Sequence, residues 1–466
     1  MAAAVGYRGA VAAGGCGVRH AGRHGVHDPH DHTARSRHGG WGVVMGGLSP
    51  WMYMAVCWPY LSALALVVPS RGGERTRAAV LSVVGLACAI MWWWARGMSA
   101  HDAMLLCPPV LLCLVTMVHM GGVARWGRDG RIDAIMAQCV AGNAMAAIAA
   151  DDVDVTIALL ALTLLMRVVP VVLRHGQARE GWRFFHAGAA GVVVAQAGSL
   201  VLSPLGNGPL DGLGMVLLVA GLLGACGLVG MSLPVGRDGG LCIMPVAPVL
   251  HLLSGPVVSL DAQQAAMTLR AMMIGMGCVM VWSAALMVWH GRARIQRARM
   301  PVHDVSARDG RWGHVMAGWI GLAVMGVGAG GPVGTMAAVL AMMAVCLCAP
   351  LLSRFAPWPA VLRHVRRGLP PTLPFVAMMM TVMAVARVSV WAMVALLPAL
   401  WLLLVGCQAE RGDVTEVRRQ EAQRQGAQRQ GAADTLTGVL ARNASALALL
   451  ALLAGGLVVV LYPVGW

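Results

Sequence analysis

His251, Arg167, Arg270 and Arg387 carry or can take up charge within or beside long apolar runs. A histidine titrates near neutral pH and can pass a proton along. An arginine keeps its proton, so it can gate or bias a path but cannot relay. These four are the candidates for a proton path. Each also has a plainer reading. Arg167 and Arg387 can snorkel to a nearby surface, and His251 can be a satisfied packing residue. Asp151, Asp152 and Asp154 sit at a segment boundary and read as a solvated loop. Gln196, Gln263 and Gln264 read as polar contacts between helices.

His251 falls in the most irregular of the apolar stretches, PVGRDGGLCIMPVAPVLHLLSGPVVSL, residues 234–260. Pro245, Pro248, Gly255 and Pro256 break a helix there and free backbone groups. Such groups are tolerated at membrane depth only inside protein or beside a water-filled cavity. Discontinuous helices of this kind mark ion paths in transporters.

The elements that must position these residues are membrane spans. Of 466 residues, 58% are hydrophobic and 12% are charged, and the mean hydropathy is +0.70. Soluble domains carry about a quarter charged residues, and disordered chains are poor in apolar ones. Both classes are excluded, leaving an all-α polytopic membrane protein. Apolar runs place about fourteen helices, near 51–69, 78–95, 103–123, 132–150, 153–173, 184–205 and 213–233, then 241–260, 265–289, 314–329, 334–352, 371–386, 388–407 and 444–464.

All 35 basic residues are Arg. They concentrate in the odd-to-even connections, for example SRGGERTR at 70–77 and the Arg/Gln-rich loop 408–443. The positive-inside rule assigns those loops to the cytoplasm and both termini to the periplasm of a bacterial inner membrane. The net charge of +15 therefore reads as topology, with no nucleic-acid partner and the lipid bilayer as surroundings. Residues 1–48 are expected to be a basic His/Gly-rich tail, disordered or from a misassigned start. His20, His24, His27, His30 and His32 in it form a compositional tract. The 12 Cys residues include no CxxC pair, so neither a disulfide framework nor a zinc site is expected. No Walker loop, GxSxG elbow or HExxH is present.

Several stretches resemble the antiporter-like membrane subunits of hydrogenase-4 (component F) and of complex I (NADH:quinone oxidoreductase chains L, M and N). They are REGWRFFHAGAAGVVVAQAGSLVL (179–202), LLGACGLVGMSLP (222–234), PVAPVLHLLSGPVV (245–258) and GWIGLAVMGVGAGGPVGTMAAVLAMMAVCLCAPLL (318–352). The resemblance spans residues 52–464. It implies an inverted-repeat bundle in a multisubunit assembly that couples proton movement to electron transfer, with other membrane subunits as partners.

In such subunits the protons run along buried charges: a Glu in the fifth helix, a Lys in the seventh, and His and Lys in the eleventh. Carried onto this chain, those positions fall near Ala161, near Ala225, and near Ala341, Val345 and Ala349. Each is uncharged. The expectation is a membrane-arm subunit with a degenerate proton path and a structural role, non-catalytic and with no cofactor in this chain. The alternative is a stand-alone secondary transporter of a proton, a cation or a small solute.

Overall fold

A computed structural model describes residues 49–68, 73–99, 101–120, 128–150, 152–175, 178–202, 210–228, 243–255, 263–298, 305–351, 364–365, 367–408, 443–444, 446–448 and 450–454. The tail 1–48, Pro256 and nearly all of the loop 408–443 lie outside these residues.

Thirteen α-helices and one 3-10 helix are defined among the described residues, and there is no strand among them. They are α1 (Pro50–Val67), α2 (Glu74–Ala95), the 3-10 helix (Asp102–Leu106), α3 (Cys107–Met120), α4 (Arg128–Ala150), α5 (Val153–His175), α6 (Ala178–Val201) and α7 (Asp211–Ala225). The series continues with α8 (Val246–Ser254), α9 (Gln263–Ala298), α10 (Val305–Ala329), α11 (Gly331–Leu351), α12 (Leu373–Val388) and α13 (Val390–Gln408). Helical pieces at 443–454 stand where a last span is expected.

The all-α membrane class holds. Five helical stretches are long and apolar enough to cross a bilayer alone, among them Thr76–Ala95 and Met267–His290. Side chains on the outer faces confirm the solvent: Trp391 is 84% exposed, and Leu64, Val193 and Leu200 are exposed too. Such a face is stable in lipid, where the helix has already closed its backbone hydrogen bonds.

Local chemistry sets the ends. Asp152 accepts from Val155 N–H at 3.0 Å and so caps α5; it is a cap as well as a loop residue. Pro occupies the first turns of α1 and α12, where its missing N–H costs nothing. Between α10 and α11, Gly330 and Gly331 both adopt left-handed φ, 67° and 66°. Side chains with a Cβ resist that conformation, so the two glycines allow a turn of minimal length.

The interior is held by close helix pairs. In α6 against α7, a Cβ added to Gly191, Gly198 or Gly221 would strike the backbone of Ala225, Leu218 or Ala195 respectively. Small residues thus bring the two backbones together, which drives association where no hydrophobic effect operates between helices. In α9 against α10, Gly277 meets Met325 and the Gly321 carbonyl, and Gly328 meets Met273 and Ile274. One large buried cluster runs from α3 through to α13. A smaller one joins α1, α2, the 3-10 helix and α4.

One sequence expectation is corrected: the helix of the seventh span ends at Ala225, short of 233, because Gly227 turns the chain with φ 79°. Within the stretch 234–260, expected to be broken, the described residues form a nine-residue helix, Val246–Ser254, and 234–242 and 256–260 lie outside them. Pro245 holds the N-terminal boundary of this helix and Gly255 its C-terminal one, while Pro248 is buried inside it.

Candidate functional site

The site grows from the end of α2. Gly97 takes a left-handed φ of 83° and closes the helix as a Gly after the C-cap does. Trp93 Nε1 donates to the Ser99 carbonyl at 3.1 Å, pinning the turn. Ser99 Oγ then donates to Asp102 Oδ2 at 2.6 Å and receives Asp102 N–H at 3.1 Å. This reciprocal pair starts the 3-10 helix and fixes the carboxylate. Arg96 Nε meets the other oxygen, Oδ1, at 2.8 Å, with its guanidinium 6.0 Å above the Trp92 ring.

From the opposite side comes α8. Its His251 is 1% exposed and stacks on His101 with ring centroids 4.2 Å apart and planes tilted by 23°. Ser254 Oγ donates to the His251 carbonyl at 3.0 Å and lies 2.9 Å from His101 Nδ1. A hydroxyl has one hydrogen. With that hydrogen directed at the carbonyl, His101 Nδ1 is the donor to Ser254 Oγ. Nε2 faces Gly255, where an added Cβ would sit 2.9 Å away.

One donor atom from each of His101, Asp102 and His251 lies within 4.8 Å of the others. The groups acting electrostatically on His251 are His101, Asp102 and Arg96. The arrangement therefore sets two stacked imidazoles beside a carboxylate that a guanidinium neutralises.

The other expected path residues lie apart from this cluster. Arg167 is buried in α5, within electrostatic reach of Cys226 just beyond α7. Arg270 is exposed on α9, its guanidinium against the Gly330 turn. Arg387 is exposed in the last turn of α12, where a cation suits the helix dipole. Met378 is buried while Met379 is exposed, in keeping with consecutive methionines that point different ways.

Sequence reasoning missed His101 and Asp102. The signal was present as two adjacent titratable residues opening an apolar run, in SAHDAMLL. It also missed a polar chain in which Tyr60 Oη donates to Asn143 Oδ1 at 2.6 Å and Asn143 Nδ2 donates to Thr163 at 3.1 Å. The Gln196 contact is there: its Nε2 reaches Asp154 Oδ1 at 3.4 Å, beside Ser199 at 2.7 Å.

At the positions where the resemblance places charge, Ala225, Ala341 and Val345 are buried among apolar side chains. Ala349 is partly buried against the same cluster.

No family model and no curated protein matches the sequence. Solved structures do. A chain of respiratory complex I from Thermus thermophilus with bound NADH superposes with a TM-score of 0.54 at 16% identity, over 85% of this chain and 99% of that one. A chain of the Mrp complex from Dietzia sp. DQ12-45-1b gives 0.54 at 13% identity, over 88% and 96%. The chain has the antiporter-like membrane-subunit fold. At such identities the likeness is one of fold, and it takes in nearly the whole of each of these two chains.

Proposed function

We propose that this protein is a membrane-arm subunit of a hydrogenase-4- or complex-I-type assembly in a bacterial inner membrane. Its own proton path is degenerate and its role structural. The carrying observation is the pairing of an antiporter-like fold with apolar, buried residues at Ala225, Ala341 and Val345. Ionisable groups inside a membrane are expensive and persist where they work. Uncharged side chains at those three positions support a scaffold that keeps its shape for its neighbours. Redox cofactors would belong to those neighbours, and both termini would face the periplasm. The test is mild extraction from native membranes followed by affinity purification. Co-purification of hydrogenase- or quinone-reductase-type subunits is the expected result. A stable lone monomer, with no such subunits at any detergent strength, overturns the proposal.

The stacking of half-buried His101 on buried His251 favours a second reading, an independent secondary transporter of a proton, a cation or a small solute. It requires flux in proteoliposomes of the isolated chain, abolished by His251→Ala. Vesicles without flux eliminate it.

A further inference from the structure

We infer that a water molecule is bound inside the bundle between Ser62 of α1 and Gln138 of α4, and that through Gln138 it ties α1 to Ser82 of α2. The inference stands whether the chain works in an assembly or alone. Three observations carry it. Ser62 and Gln138 are each 1% exposed, yet Ser62 Oγ and Gln138 Oε1 have no hydrogen-bond partner among the described residues. The Gln138 amide is held at its other atom, where Nε2 donates to Ser82 Oγ at 3.0 Å. Ser82 Oγ sends its one hydrogen to the Ala78 carbonyl at 2.9 Å, so it has none for Oε1.

The third observation is register. α1 packs against α2 and α4. Toward α4, Tyr60 Oη bonds Asn143 and a Cβ on Gly142 would strike the Tyr60 ring, while Leu66 shares a buried cluster with Ala134 and Ala78. Ser62 is thus set opposite the interval 134–142, which holds Gln138. Toward α2, Trp58 Nε1 donates to the Leu81 carbonyl at 2.8 Å, and a Cβ on Gly85 would meet the Trp58 ring. The same stretch of α1 therefore faces the interval 78–85, which holds Ser82. Ala63, Ala78 and Ala134, all buried at these levels, are small. Lipid offers an orphaned polar atom no partner, and a water that bonds two or three such atoms is the usual occupant of a buried polar niche. Here it donates to Gln138 Oε1 and shares a hydrogen bond with Ser62 Oγ. α1 is the least buried of the five long spans, so a polar tie is added where packing area is smallest.

The test uses the full chain in detergent. A cryo-electron microscopy map that shows ordered waters should hold a peak within about 2.7–3.2 Å of both Ser62 Oγ and Gln138 Oε1. A map of that quality with no peak there, or with Ser62 bonded directly to Gln138, overturns the inference. Reversible unfolding in SDS supplies a second readout. Without the water, Ser62→Ala would remove an orphaned hydroxyl and leave the unfolding constant unchanged or lower it. With the water, Ser62→Ala takes away one of its partners and should raise that constant about fivefold. In a Gln138→Met background the same substitution should have almost no effect; the Ser82 bond is lost in both members of that pair and cancels. A neutral or stabilising Ser62→Ala, or an effect of equal size in both backgrounds, also overturns the inference.

Discussion

Two buried regions of this bundle are solved by opposite means. Around Ala341 and Val345 in α11 the interior is apolar, filled by alkyl side chains and the buried thiols of Cys107, Cys346 and Cys348. Around His251 in α8, equally buried, the chain spends two imidazoles, a carboxylate, two hydroxyls and a guanidinium on one small volume. Both regions flank helices of the same antiporter-like scaffold. The difference shows that packing does not require charge here, since α11 manages without it. The polar cluster is therefore the part of the interior whose chemistry calls for a reason beyond stability.

That contrast can be broken most forcefully at its apolar side. Val345→Lys places an unpaired ammonium among apolar side chains, costing about 4 kcal/mol or more. Fluorescence-detected size-exclusion after heating should show almost no folded protein. Survival of Val345→Lys at wild-type level would mean water already reaches α11. Next in size is the α6–α7 seam. Gly221→Val forces a side chain against the Ala195 backbone and should lower the detergent melting point by an amount equivalent to about 1–3 kcal/mol.

The polar side responds more gently. Asp102→Asn removes a pairing with a partly exposed Arg96 and should cost about 1 kcal/mol, read as a small drop in melting temperature. Asn143→Ala leaves Tyr60 Oη without its acceptor and should cost about 1–2 kcal/mol, comparable to Asp102→Asn or slightly above it. Smallest is Arg387→Gln, at a helix terminus and exposed, with an effect of about 0.5 kcal/mol. A larger loss at Arg387 than at Asp102 would place working charge in α12 instead of beside α8.

The helices were legible because each apolar run is bounded by Arg, Pro or Gly, and lipid admits no other structure for such runs. The run at 103–123 hid its first turn, which is a 3-10 helix over Asp102–Leu106; its apolar content is the same either way. The site was only half legible. His251 stood out against apolar neighbours, but its partner comes from far along the chain. The His101–Ser254 link crosses 153 residues, and the Tyr60–Asn143 link crosses 83. No periodicity encodes such pairings; they arise only when the helices are assembled. Arg270 and Arg387 looked equal to His251 in the sequence because hydropathy does not tell an inward-facing side chain from an outward-facing one.

The glycine seam between α6 and α7 has a mechanical corollary. Two helices whose main chains touch cannot slide or tilt separately without collision, so they behave as a single stiff plank. The short rod of α8 is built otherwise, with proline at one end and glycine at the other. A displacement imposed on one of the two helices would be handed to the other undiminished.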